Sequence, residues 1–84
     1  MNLHILYFAS LRETVGISRE ELEVPAQVRT VADLRAHLAG RGGTWDALAS
    51  AGNLRCAVNQ EIAHPAALLK PGDEVAFFPP VTGG

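Results

Sequence analysis

From Asn2 to Ala9 the chain alternates, placing Leu3, Ile5 and Tyr7 on one face of a strand and His4, Leu6 and Phe8 on the other. The second face turns apolar at its end. Gly16 breaks the chain after the polar segment 12–14, and residues 18–24 alternate again, with Leu22 and Val24 inward and Glu21 and Glu23 outward. The two segments predict a hairpin. Pro25 ends the second strand, and Thr30 is suited to cap a helix that carries Val31, Leu34 and Leu38 at i, i+3 and i+7, with Asp33 at its third position. Gly40, Gly42 and Gly43 end that helix, and residues 44–49, with Trp45 and Leu48, predict one more helical turn in which Trp45 plugs the core.

Residues 54–59 then read as a third strand, Asn59-Gln60 as a turn, and residues 61–63 as a short return strand. Pro71-Gly72-Asp73 is a turn signal, after which residues 74–78 form the last strand, with Val75 and Phe77 on one face and Glu74, Ala76 and Phe78 on the other. Strand, strand, helix, then strands is the order of an α+β fold with one main helix packed on one face of a mixed sheet. If the first and last strands lie side by side at its centre, the arrangement is the ubiquitin-like β-grasp. The domain is expected over residues 1–78, with residues 79–84 as an extended tail.

Composition narrows the function. At 84 residues there is room for one domain, burying roughly 60–65% of its unfolded surface. A hydrophobic fraction of 48% against 19% charged supports a core and argues against disorder. The net charge of −2, with Lys70 the one lysine, lacks the basic footprint of a nucleic-acid binder. The longest apolar run, Ile5 to Ala9, is far short of the roughly 20 residues of a membrane span, and no basic stretch precedes it, so a soluble cytoplasmic protein is expected.

Cys56 is the one cysteine, which rules out an internal disulfide and a cysteine metal cluster; inside the apolar run 54–58 it reads as a buried structural thiol. His4, His37 and His64 are scattered without the spacing of a metal site or an acid/base pair, so no metal is expected. Nothing supplies nucleophile, base and oxyanion site together, and the chain is not expected to be an enzyme in its own right.

The chemistry lies at the C-terminus. Pro79 and Pro80 stop the sheet and hold the backbone extended, so that Val81, Thr82, Gly83 and Gly84 are expected to project beyond the domain. Two terminal glycines leave no Cβ beside the carboxylate, which can then thread a narrow channel in another protein. A free α-carboxyl, with a pKa of about 3.5, is an anion at neutral pH and a poor electrophile, so it must be activated. Adenylation by ATP makes it a mixed anhydride that a sulfur nucleophile can open, leaving a thiocarboxylate on Gly84. The chain contains neither G-x-x-x-x-G-K nor G-x-G-x-x-G, so a separate enzyme must bind the ATP, and no cofactor is expected on the chain itself.

Phe77-Phe78-Pro79-Pro80-Val81-Thr82-Gly83-Gly84, following Pro71-Gly72-Asp73-Glu74-Val75, resembles the C-terminal signature of the molybdopterin synthase small subunits, the sulfur carriers of molybdenum-cofactor synthesis. The resemblance extends to Tyr7-Phe8-Ala9 with Leu11-Arg12-Glu13 and to Ala57-Val58-Asn59. It implies a β-grasp fold, adenylation at Gly84 by an activating enzyme akin to those of ubiquitin, and conversion to the thiocarboxylate. It also implies insertion of the tail into the catalytic large subunit, where sulfur passes to a cyclic pyranopterin phosphate. Each dithiolene takes two sulfurs, so two carriers act per product, and a heterotetramer of two small and two large subunits is expected.

Phe8 and Phe78, on strand faces otherwise marked by His4 and Glu74, suggest a partner surface beside the tail. The resemblance adds Ile62 to it, and the opposing reading is that the helix or a loop covers all three. Three rivals stand beside the carrier of molybdopterin synthesis. One is the related thiamine-pathway sulfur carrier; a second is a protein modifier that joins Gly84 to lysines as ubiquitin does. The third is a plain interaction domain whose tail is inert.

Overall fold

The computed structural model describes residues 1–50 and 52–80. Its elements are β1 (Asn2–Tyr7), α1 (Ala9–Val15), β2 (Arg19–Glu23), α2 (Val31–Ala39), a 3-10 turn (Gly43–Asp46), α3 (Ala47–Ser50), β3 (Arg55–Val58), β4 (Glu61–Ile62) and β5 (Glu74–Phe78). The five strands form one sheet in the order β2-β1-β5-β3-β4. β1 pairs with β2 antiparallel and with β5 parallel, and β3 lies antiparallel to β5. The first and last strands therefore sit together inside the sheet, which is the β-grasp expected from the sequence.

The alternating pattern becomes two faces. Leu3, Ile5 and Tyr7 of β1, Val75 and Phe77 of β5 and Cys56 of β3 join Val31, Leu34 and Leu38 of α2 and Leu48 of α3 in one buried cluster. The helix holds this position because its start is fixed. Thr30 Oγ1 accepts from the Asp33 amide at 3.1 Å, and the Asp33 carboxylate accepts from the Thr30 amide at 3.1 Å. That reciprocal cap satisfies two of the donors a helix start leaves open. Thr30→Ala should lower stability by about 1 kcal/mol, read as a shifted urea midpoint with unchanged slope.

One part of the first hairpin differs from the expectation. The β1 strand stops at Tyr7, and the segment before Gly16 is a helix. Phe8 is extended at its N-cap, and Ala9, with φ of 54°, swings the chain off the sheet. Leu11 is thereby buried and Val15 half-buried beneath it, one turn apart, and Gly16 closes the helix in the left-handed conformation with its amide on the Arg12 carbonyl at 2.9 Å. Phe8 thus lies just past the strand and not on a strand face.

Trp45 is half-buried at the core's rim. Its ring meets Tyr7 edge-on at 5.3 Å, and the Arg41 guanidinium lies 4.3 Å from its centroid. Arg41 also donates to both oxygens of Glu20 at 2.8 Å each, and the Tyr7 hydroxyl donates to the same carboxylate at 2.8 Å. These four side chains tie β1 and β2 to the segment after α2. The paired Arg41, and in smaller part Tyr7, hold the Glu20 carboxyl below its usual range against an opposing effect of burial. A depressed folded pKa stabilises above the unfolded carboxylate range and loses that contribution as pH falls through it. Arg41→Ala should therefore cost about 1 kcal/mol at pH 7, and the gap to wild type should narrow at pH 3; urea midpoints at both values measure it.

Candidate functional site

The expected working group, Gly84, with Gly83, Val81 and Thr82, lies outside the described residues, and Phe78, Pro79 and Pro80 form its root. Phe77 is 1% exposed on the core face of β5 and anchors the strand from which the tail leaves. Phe78, on the opposite face, is half-buried and pairs in register with Arg55. Pro79 and Pro80, also half-buried, follow directly, and neither can extend the ladder. The backbone amide of Phe8 donates to the Phe77 carbonyl at 3.2 Å, which brings Phe8 to the same end of the sheet. Phe8 is 47% exposed.

The face of the sheet away from α2 is ordered in rows by the strand register. One row runs Arg19, Leu6, Ala76, Ala57, Ile62 across all five strands. The next, farther from the tail, is Glu21, His4, Glu74. An apolar band thus lies between the root of the tail and a polar edge. Ala76 is buried by its neighbours, Leu6 is half-buried and Ile62 is 70% exposed at the sheet's edge. Four of these are apolar positions where a solvated face carries polar residues. Phe8 and Ile62 are exposed and Phe78 is half-buried, so among the described residues neither the helix nor a loop covers them fully.

Cys56 is buried, and burial pushes its thiol up to about 12, so it is protonated and unreactive at neutral pH. His4 and His64 are exposed; Nδ1 of His4 lies 3.3 Å from Glu21 Oε1, and Nδ1 of His64 accepts from the Ala66 amide at 3.2 Å. Among the described residues no group of His, Cys, Asp and Glu is placed to hold a metal ion, and no helix is long and apolar enough to cross a membrane.

Sequence reasoning missed two features. Leu68 is 72% exposed in the loop before β5; its neighbours Ala67 and Leu69 are more buried, and nothing in that apolar run marks which residue points out. A groove of about 370 Å³ also lies between α2 and β3, and its walls come from segments far apart in the chain.

The comparisons agree with this architecture. Residues 5–84 match the ThiS family. The chain is 46% identical over 85 residues to the molybdopterin synthase sulfur carrier subunit of Escherichia coli K12, covering 98% of this chain and 99% of that one. Its fold superposes with a TM-score of 0.80 and 28% identity on a molybdopterin converting factor, subunit 1, described as putative, from Pyrococcus furiosus, covering 96% and 99% of the two chains. The small archaeal modifier protein 1 of Haloferax volcanii is also similar, at a TM-score of 0.76 and 28% identity over 95% and 98% of the chains.

Proposed function

We propose that this chain, which belongs to the ThiS family, is the sulfur carrier subunit of a molybdopterin synthase and carries sulfur as a thiocarboxylate on Gly84. The observation that carries the reading is the match, at 46% identity and nearly full length, to a bacterial subunit of that name. The fold supports it by ending the last strand at Phe78, with Pro79 and Pro80 following, beside the apolar band formed by Leu6, Ala76, Ala57 and Ile62.

The chemistry follows from the terminus. An adenylyltransferase akin to ubiquitin-activating enzymes joins the Gly84 carboxylate to AMP and releases pyrophosphate. A sulfur nucleophile then displaces AMP. The carrier docks its apolar band and Phe8 on the large subunit, and the diglycine end, which has no side chains, delivers sulfur to a pyranopterin precursor in that subunit's active site. The large subunit supplies the catalysis. Two carriers flank a large-subunit dimer, and the cycle runs in the cytoplasm, where ATP is at hand.

The test is a single-turnover reaction of the thiocarboxylated chain with purified large subunit and precursor. Molybdopterin should form with stoichiometric return of the chain to its carboxylate. A chain that keeps its sulfur, beside a known carrier that loses it, would contradict the reading. The likeness to an archaeal modifier favours a second one, in which the adenylate passes to target lysines. Adducts that vanish when Gly84 is removed would support it.

A further inference from the structure

The groove between α2 and β3 lies on the helix side of the sheet, and of its lining only Ile62 belongs to the docking band described above. Its floor is apolar: Phe77 and Cys56 are buried side chains of adjacent strands. Its wall on α2 includes, beside Val31 and Arg35, the exposed Ala32 and Ala36 one turn apart, where the outer face of a helix ordinarily carries long polar side chains. Their shortness is what gives the groove its depth.

Charge is distributed unevenly around it. The groove's lining includes two of the chain's seven basic residues, Arg35 and Arg55, and none of its nine acidic ones, in a protein whose net charge is −2. Arg35 is held in place, since its Nε donates to the Leu48 carbonyl. A cationic rim over an apolar floor of about 370 Å³ suits an occupant with one large apolar side chain beside a carboxylate.

Position identifies where that occupant comes from. Arg55 pairs with Phe78 at the root of the tail, and Ile62 both lines the groove and ends the apolar row of the open face. A protein seated on that face with the tail inside it reaches the groove by passing around the edge formed by β3 and β4. We propose that the groove is a second docking site of the carrier, filled by a segment of the tail-receiving protein that presents a large apolar side chain next to an Asp or Glu. The identity of that protein rests on the carrier reading above; the chemistry of the segment rests on the groove.

Calorimetric titration of the full chain with the purified large subunit tests it, using Ala36→Trp to fill the groove, Arg55→Glu to reverse its rim and Leu6→Asp to disrupt the open face. Ala36→Trp and Arg55→Glu should each weaken binding by about tenfold or more, with melting temperatures near wild type. The effect of Arg55→Glu should shrink in high salt and that of Ala36→Trp should not. If Ala36→Trp misfolds, Ala32→Trp fills the same groove from one turn away. Affinities within about twofold of wild type for the filled and reversed variants, while Leu6→Asp abolishes binding, would overturn the groove and leave the carrier reading intact. A wild-type chain that fails to bind the large subunit would overturn both.

Discussion

A chain lacking Gly84 is expected to form its complex with the large subunit at wild-type strength and to yield no molybdopterin. Removing Gly84 leaves Leu6, Phe8, Ala76 and Ile62, the proposed docking contacts, in place, so affinity is kept. The new terminus, Gly83, is still a glycine carboxylate, and its intrinsic reactivity toward ATP is unchanged. What changes is reach: the carbonyl retreats by one residue, about 3.3–3.6 Å. A misplacement of about 1 Å between reacting groups can cost about 10²-fold, so a full residue should bring both adenylation and sulfur delivery to background. Binding by calorimetry and product formation in single turnover, measured on the same sample, separate this from unfolding. Loss of binding together with loss of product would instead place the terminal residue in the docking contacts.

The largest expected loss of stability is at Phe77. Its ring is buried among residues from both central strands and the helix layer, and Phe77→Ala should cost about 3–5 kcal/mol through lost transfer energy and the cavity left behind. Against a total of roughly 5–15 kcal/mol for a domain, that leaves a marginal fold. Because β5 also roots the tail, carrier activity should fall with the folded fraction, and lowering the temperature should restore both in parallel. Urea denaturation followed by circular dichroism measures the loss; a change below about 1 kcal/mol would mean that the core closes over the missing ring.

Much of this was legible in the sequence because the relevant signals are local. The period-2 alternation of residues 2–9 and 74–78 and the Thr30 cap specify their elements within a few residues, and the structure keeps them, with the first strand ending at Tyr7. The Asn59-Gln60 turn also held: both residues adopt positive φ, 50° and 71°, as a tight two-residue hairpin requires. The α1 helix was not legible. Seven residues with two large apolar side chains, Leu11 and Val15, make too faint a helical pattern, and the polar run from Arg12 reads as a loop.

Long-range polar contacts were beyond reach for a different reason. Glu20 and Arg41 are 21 positions apart, and each alone reads as a solvated charge; the fold brings them together around Tyr7 and Trp45. The groove was invisible likewise, since Ala32 and Ala36 look like neutral helix formers until β3 is packed beside them. The candidate site divides the same way. Phe8, Ile62 and Phe78 were picked out as exposed apolar residues or by resemblance, whereas the band that joins Ile62 to Leu6 through Ala57 and Ala76 exists only once the register is known.

Intact-protein mass spectrometry tests the sulfur carrier most directly, with the chain incubated with ATP, a molybdopterin-type activating enzyme and sulfide beside a chain lacking Gly84. The full chain should exchange one terminal oxygen for sulfur, and the shortened one should not. An unchanged mass, with the same enzyme active on a known carrier, would contradict the thiocarboxylate at Gly84 and leave the apolar face of the sheet as the protein's working surface.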